Sequence, residues 1–335
     1  MSDSLPHRSS GSEPVPASVP SPDAPGTTWV VVGATGFIGS AVSDALYRRG
    51  ARVRTVAAPR LRADGTDPAS LLAQAADMGD ERRRLEAAFA DADVVINAAG
   101  LATPGATDSP ELRGANALLP LLLADAADAA GVRRFVHLSS AAVQGHRPFL
   151  DESAHVEPFS AYSRAKALGE QALAQRTGGS CSVATVRATS VQGPGRPTTA
   201  TLARLAASPL ASVAAPGTAP SPVSSVSALV DFVLKVALHP GPVPAVVLQP
   251  WEQATVSSVL EAAGGRRPAH LPAWFCRSAL RTGYALSSLA GERLHGPLRR
   301  VEMMWFGQRQ EPGWAEATGN VPEPQVSRVL ESVRS

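Results

Sequence analysis

The sequence predicts an α/β chain in which a doubly wound parallel sheet is followed by a smaller C-terminal lobe. Three observations carry this. A short apolar run, Trp29-Val-Val-Val32, turns at once into Gly33-Ala-Thr-Gly36-Phe-Ile-Gly39 and then into helical periodicity. Apolar runs of strand length then alternate with helical patterns as far as about residue 190, which is the signature of a parallel sheet with helices on both faces. Beyond residue 193 proline and glycine become dense and the alternation weakens, as expected of a less regular lobe set over the strand ends.

The elements follow in order. Residues 1–28 are rich in Ser, Pro and Gly, with no basic start leading into an apolar run, and read as a disordered extension, not a signal peptide. Residues 29–32 form the first strand and 37–49 the first helix. Residues 52–57 form a second strand, 85–89 belong to a helix, and Asp93-Val-Val-Ile-Asn97 is a third strand. A long Ala/Leu helix covers about 110–130 and is ended by Gly131. A strand at 134–139, a helix at about 160–175 and a strand at 182–187 complete a domain over 29–192, leaving 193–335 as the substrate-side lobe and C-terminal segment. Ligands of such sheets sit at the carboxyl ends of the strands, where Gly33, Asn97, Ser139 and Ser140 fall.

Composition narrows the class. With 335 residues and 44% apolar content the chain can bury a large core, and a formal charge of +2 with dispersed arginines gives no basic block to track a phosphate backbone. Nucleic acid is excluded as a partner on this ground. Cys181 and Cys276 lack ligand-forming neighbours, so neither a disulfide framework nor a metal site is expected. The apolar stretch 271–294 is interrupted by Arg277, Arg281, Glu292 and Arg293 and cannot span a bilayer cheaply, so a cytoplasmic protein without a membrane partner is expected.

Glycines at 33, 36 and 39 let the backbone turn after the strand, approach a phosphate without a Cβ in the way, and pack helix on sheet. The unpaired N–H groups of the helix start then face a pyrophosphate, as in Rossmann-like dinucleotide sites. The second strand ends in Ala57-Ala-Pro-Arg60-Leu-Arg62, with no carboxylate to repel a ribose 2′-phosphate and two arginines to attract one. The reading is an NAD(P) site that favours NADP over NAD. Asp77, with Asp80 as its rival, is placed at the adenine edge.

Tyr162 and Lys166 stand one helical turn apart in a chain with three tyrosines and two lysines, a coincidence of about 0.02 by chance. Residues i and i+4 share a helix face. An ammonium beside a phenol favours the phenolate and lowers the tyrosine pKa toward a working range for proton transfer. His137 shares a strand face with Ser139, opposite that of Leu138 and Ser140, and reads as a structural histidine. His146 reads as a loop residue.

Gly33-Ala-Thr-Gly-Phe-Ile-Gly39, Asn97-Ala-Ala-Gly100, Asn116, Ser139-Ser140 with Gly145, Tyr162-Ser-Arg-Ala-Lys166 with Glu170, and Arg187-Ala-Thr-Ser-Val-Gln-Gly-Pro194 together resemble the extended short-chain dehydrogenase/reductases. More narrowly, they resemble the NAD-dependent epimerase/dehydratase group that acts on nucleotide sugars. The resemblance implies Tyr162 as general acid/base, Lys166 as the residue that holds the nicotinamide ribose and lowers the tyrosine pKa, and Ser140 as a hydroxyl bonded to the reacting oxygen. It places Gly33, Thr35, Gly36, Phe37, Ile38, Gly39, Arg60, Asp77, Ala98, Ala99, Gly100, Asn116, Ser139 and Lys166 around the cofactor. Asn116 would support the Lys166 helix through a backbone or water contact.

Departures from that pattern narrow the reaction. Ala141 and Ala142 stand where the sugar dehydratases carry an Asp and a Glu, so the acid/base pair for elimination is missing, and no cysteine stands at 141 for the epimerisation step of the reductase that makes GDP-fucose. Gln144, Ser190 and Gln192 replace residues common on the sugar-facing wall, and Arg196 and Arg204 are the cations left for a diphosphate. The resemblance therefore implies first an epimerase of a nucleotide-linked sugar working by transient hydride transfer. The alternatives are an NAD(P)H-dependent ketoreductase of a keto-sugar or small carbonyl, and a non-catalytic dinucleotide-binding sensor. It also implies a homodimer paired through the helices at 110–130 and 160–175.

Overall fold

Six parallel strands form the central sheet of the computed structural model, which describes residues 26–102, 107–289 and 295–334. They are β1 (Thr28–Val32), β2 (Arg52–Val56), β3 (Val94–Asn97), β4 (Arg134–Ser140), β5 (Ser182–Ala188) and β6 (Val246–Leu248), ordered β6-β5-β4-β3-β1-β2. β1 and β3 are apolar on both faces because helices cover both, as parallel sheets require. Trp29 and Val31 face a core built with α1 (Phe37–Arg48), while Val30 and Val32 face a second core on the opposite side. Most of residues 1–28 lies outside the described residues, but the first strand already starts at Thr28, whose N–H is held by the Asp93 carboxylate at 2.8 Å.

Between β2 and β3 the chain forms α2 (Pro68–Asp77) and α3 (Gly79–Phe89). α2 starts well. Asp67 caps it through the Ser70 N–H at 3.0 Å, and Pro68 occupies the first turn, where its missing N–H is harmless. Its apolar face, Leu71 and Ala75, sits in the groove between α4 (Leu119–Ala129) and α5 (Ala161–Ala174), against Leu121, Leu168 and Ala172. The two helices expected to pair in a homodimer thus meet α2 of their own chain on this side.

Beyond residue 192 the chain first builds α6 (Pro197–Ala207) and then returns to the sheet. α7 (Val226–Leu238) packs with α1 on the Trp29 face, and β6 adds the sixth strand beside β5. Proline and glycine density concealed this return, since the sheet takes residues from both sides of the sequence boundary. The smaller lobe has its own core, with Ala206, Val213, Val259, Leu260, Val326 and Leu330 drawn from α6, α8 (Val256–Gly264) and α11 (Val326–Arg334). Between α8 and α11 lie α9 (Ala273–Leu289) and α10 (His295–Phe306).

The C-terminal segment straps lobe to sheet. Arg299 and Gln308 both donate to the Gly145 carbonyl, at 2.7 and 3.2 Å, just past the catalytic-side end of β4. The Trp314 ring meets His239 edge-on at 5.0 Å. No helix among the described residues is long and apolar enough to cross a membrane.

Candidate active site

The glycine turn leaves β1 and enters α1 with Gly33 at φ +85°, a conformation that side chains oppose. A Cβ there would also stand 2.6 Å from the Ala99 N–H nitrogen, so the turn lies backbone to backbone on the loop after β3. Ala98 N–H donates to the Val32 carbonyl at 2.9 Å, and Asn97 folds its Oδ1 back onto Ala99 N–H at 3.0 Å. α1 opens at Phe37 with Gly36 as N-cap and no side-chain cap. Thr35 and Gly36 are exposed above this helix start. A Cβ at Gly100 would approach the Lys166 ammonium to 3.3 Å, so the absence of a side chain keeps that corner open. The uncapped helix start, the open Gly36 and the Gly100 corner fit a dinucleotide.

Asn116 owes its geometry to Pro120. Lacking an N–H, Pro120 cannot bond the Asn116 carbonyl in α-helical register, and the chain widens to a π-turn over Gly114–Leu118. The Asn116 carbonyl faces Gly169 on α5, where a Cβ would come within 2.5 Å of it. Its side chain grips the β3 loop, accepting from Leu101 N–H at 3.2 Å and donating to Leu101 O at 2.9 Å. Pro120 is the signal in the sequence that foretells this break in the long helix.

β4 presents two different faces. On one, the buried Ser139 hydroxyl donates to Glu170 at 2.5 Å, and Glu170 pairs with Arg187 at 2.7 Å. The Ser139 hydroxyl is thus turned into the sheet–helix interface and joins α5 to the sheet. His137 lies on the same face, buried, with Nδ1 3.1 Å from Asn97 Nδ2. Burial first, and the Lys166 charge second, push its pKa well below the usual value, so it is neutral.

On the other face, the Ser140 hydroxyl caps a short 3-10 turn by accepting from Ala142 N–H at 3.2 Å, and it also acts on the Tyr162 phenol. Ser160 places the phenol by starting α5 with a reciprocal cap to Ser163. Burial raises the Tyr162 pKa; the hydrogen bond with Ser140 and the charge of Arg196 act against that rise. Lys166 donates to the Leu138 carbonyl at 2.8 Å. Its own pKa falls to about 8 through burial, partly offset by Glu170. Arg196 lies over the Phe37 ring, 5.0 Å from its centroid, and donates to the Val191 carbonyl.

Gly33, Gly36, Phe37, Gly39, Ala98, Ala99, Gly100 and Ser140 lie at the carboxyl ends of β1, β3 and β4 or in the helix start after β1, Asn116 holds the loop after β3, and Tyr162 and Lys166 come from α5, with Ile38 in the first turn of α1. Arg60 and Asp77 are exposed, Arg60 in the loop past β2 and Asp77 at the end of α2. Arg62 is taken up in an ion pair with Glu111. Gln144 and Gln192 are buried and turned inward. Gln144 exchanges hydrogen bonds with Asp151 at 2.6 and 2.9 Å, and Gln192 accepts from Thr199 at 2.9 Å. Arg299 and Gln308, which steady the Gly145 loop, carry no motif in the sequence.

A parallel doubly wound sheet, a glycine turn at its first strand and a serine–tyrosine pair at its fourth define a dinucleotide-binding enzyme of the extended short-chain dehydrogenase/reductase type. The chain belongs to the NAD dependent epimerase/dehydratase family, whose model matches residues 29–234. It is 34% identical over 167 residues to the 4-hydroxy-2-methyl-3-oxo-4-farnesyl-3,4-dihydroquinoline-1-oxide ketoreductase of Stigmatella aurantiaca, a match covering 47% of this chain and 48% of the relative. The chain thus spans about half the length of the curated relative it matches. MoeE5 in complex with UDP-glucuronic acid and NAD superposes with a TM-score of 0.54 at 27% identity, covering 73% of this chain and 85% of that one. The human epimerase family protein SDR39U1 with NADPH shares the fold at 20% identity, with a TM-score of 0.61 over 92% of this chain and 99% of that one.

Proposed function

We propose that this enzyme is an NADPH-dependent ketoreductase of a small carbonyl compound. The observation that carries the reading is the set of side chains at the end of β4, where the Ser140 hydroxyl stands beside the Tyr162 phenol and is followed by Ala141 and Ala142, with no carboxylate next to the pair. A reductase needs a proton donor for the oxygen of the carbonyl it reduces, and a phenol beside a hydroxyl supplies one.

NADPH, when bound at the glycine turn, supplies the hydride. Ser140 then orients the carbonyl oxygen, and Tyr162 gives it a proton. The phenolate left behind faces the Arg196 guanidinium, which stabilises it. Lys166, anchored on the Leu138 carbonyl and beside Gly100, lies one turn from Tyr162 on the same helix and would hold the cofactor's ribose. Ala141 and Ala142 offer no carboxylate, so reduction proceeds without elimination. The absence of an acid at the end of β2 and the exposed Arg60 support NADP over NAD. The ketoreductase from Stigmatella aurantiaca supports the reaction class.

A second reading, a nucleotide-sugar epimerase that takes a hydride and returns it, is favoured by the likeness to MoeE5, which was solved with UDP-glucuronic acid and NAD. Cofactor stoichiometry separates the two. The reductase consumes NADPH mole for mole with a ketone, whereas the epimerase carries NAD through purification and shows no net absorbance change. A tightly held NAD with no NADPH consumption across a ketone and keto-sugar panel would overturn the first reading. Tyr162→Phe should lower turnover at least about a hundredfold and leave dinucleotide affinity nearly unchanged.

A further inference from the structure

The segment that the family motifs do not reach carries an unusual surface. Between Glu261 and Glu292 the sequence holds four arginines, Arg266, Arg267, Arg277 and Arg281, and no carboxylate, in a chain whose net charge is only +2. α9 lies within this stretch. One side is fastened to the protein by buried Cys276, Leu280 and Ser287, with Gly283 letting the Leu298 side chain of α10 come close. The other side faces outward, and it is not polar. Trp274 is 70% exposed, Phe275 47%, Leu286 59% and Leu289 87%. At 100° per residue these four fall within one arc of about 120°, opposite the buried stripe, and Arg277 and Arg281 edge that arc on one side.

We propose that this face of α9 docks the enzyme on an anionic lipid surface. A helix of 17 residues with an outward apolar arc, aromatic residues near its start, arginines along one edge and no acid is built to lie in the plane of a membrane interface. Charge chooses between the possible occupants. A second copy packed antiparallel on this face across a two-fold axis would set Arg277 and Arg281 on the same edge as their own equivalents, with no carboxylate in the segment to relieve them. Anionic headgroups relieve them, and the arc enters the acyl boundary. The same interruption by arginines that prevents 271–294 from spanning a bilayer suits it to lying on one.

The test is sedimentation of the full chain with phosphatidylglycerol-containing vesicles and with pure phosphatidylcholine vesicles. Binding is expected to the first, with a blue-shifted tryptophan emission that Trp274→Phe removes, and to weaken as salt rises. Arg277→Ser/Arg281→Ser should lower the partition coefficient about 25-fold, taking roughly fivefold per arginine. Trp274→Ser/Phe275→Ser should lower it about a hundredfold. All substituted side chains are exposed, and an unchanged unfolding midpoint verifies that the variants fold. The proposal is overturned if neither vesicle binds the native chain, if binding survives Trp274→Ser/Phe275→Ser, or if those substitutions instead dissolve a homodimer.

Discussion

Arg187 is the residue whose removal tests the architecture beneath the site most severely. Its side chain is 1% exposed and that of Glu170 5%, at a separation of 2.7 Å. The guanidinium gives Nε and Nη2 to the Glu170 carboxylate and Nη1 to the carbonyls of Asp151 and Ser153, at 3.1 and 2.8 Å. Arg187→Met keeps much of the volume and strands the Glu170 carboxylate with the Ser139 hydroxyl as its remaining partner. Removing one member of a buried pair costs about 3–5 kcal/mol. At roughly 2–4 °C per kcal/mol for a chain of this class, the midpoint should fall by roughly 6–20 °C. Arg187→Met/Glu170→Met removes the stranded charge as well and should recover most of the loss, leaving about 1–3 kcal/mol for the unpaired carbonyls of Asp151 and Ser153. Urea unfolding of the three proteins gives the free energies and thermal unfolding the midpoints. A loss below about 1 kcal/mol in the single variant, or a double variant no more stable than the single one, refutes the account of Glu170 as a buried charge held by Arg187.

Three further outcomes are expected. Lys166 keeps its charge below about pH 8 and loses it above, so kcat/KM should decline above that pH; in Lys166→Arg the decline should vanish, and its persistence would exclude Lys166 as its source. Asp151, although burial alone would raise it, is held down to about 2 by hydrogen bonds from Ser153 and Gln144 and by Arg147, so its contribution is complete above its unfolded pKa of about 4 and is lost as pH falls toward 2. Asp151→Asn should therefore flatten the loss of stability between pH 4 and pH 2 by about 2 kcal/mol in denaturation curves. Leu71→Ala, which empties a fully buried position of α2, should cost about 2–5 kcal/mol at every protein concentration. A midpoint that rises with concentration would mean that the groove between α4 and α5 is a subunit interface after all.

Local sequence alone determined the parts of this protein that are made of contiguous residues. The apolar run before Gly33 could only be a buried strand, the three glycines could only serve a tight turn into a helix, and Tyr162 with Lys166 declared a helix face, because these signals act over one or two turns of chain. The tertiary structure decided what those side chains meet. Lys166 lies one turn from Tyr162, yet its ammonium also bonds the Leu138 carbonyl, and a charge that lowers the phenol's pKa comes from Arg196, more than thirty residues away in a loop that periodicity does not describe. Ser139 and Ser140 are neighbours that alternate to opposite faces of β4, so one reaches Glu170 and the other the phenol. α2 and β6 were illegible for a related reason. α2 exists because a groove between two other helices receives Leu71, and β6 because β5 offers an unpaired edge, and neither the groove nor the edge exists until distant segments have packed. Propensity and spacing speak for the residues that carry them, whereas desolvation and charge depend on every element that closes around a group, which is why the motif was visible in one dimension and its pKa order only in three.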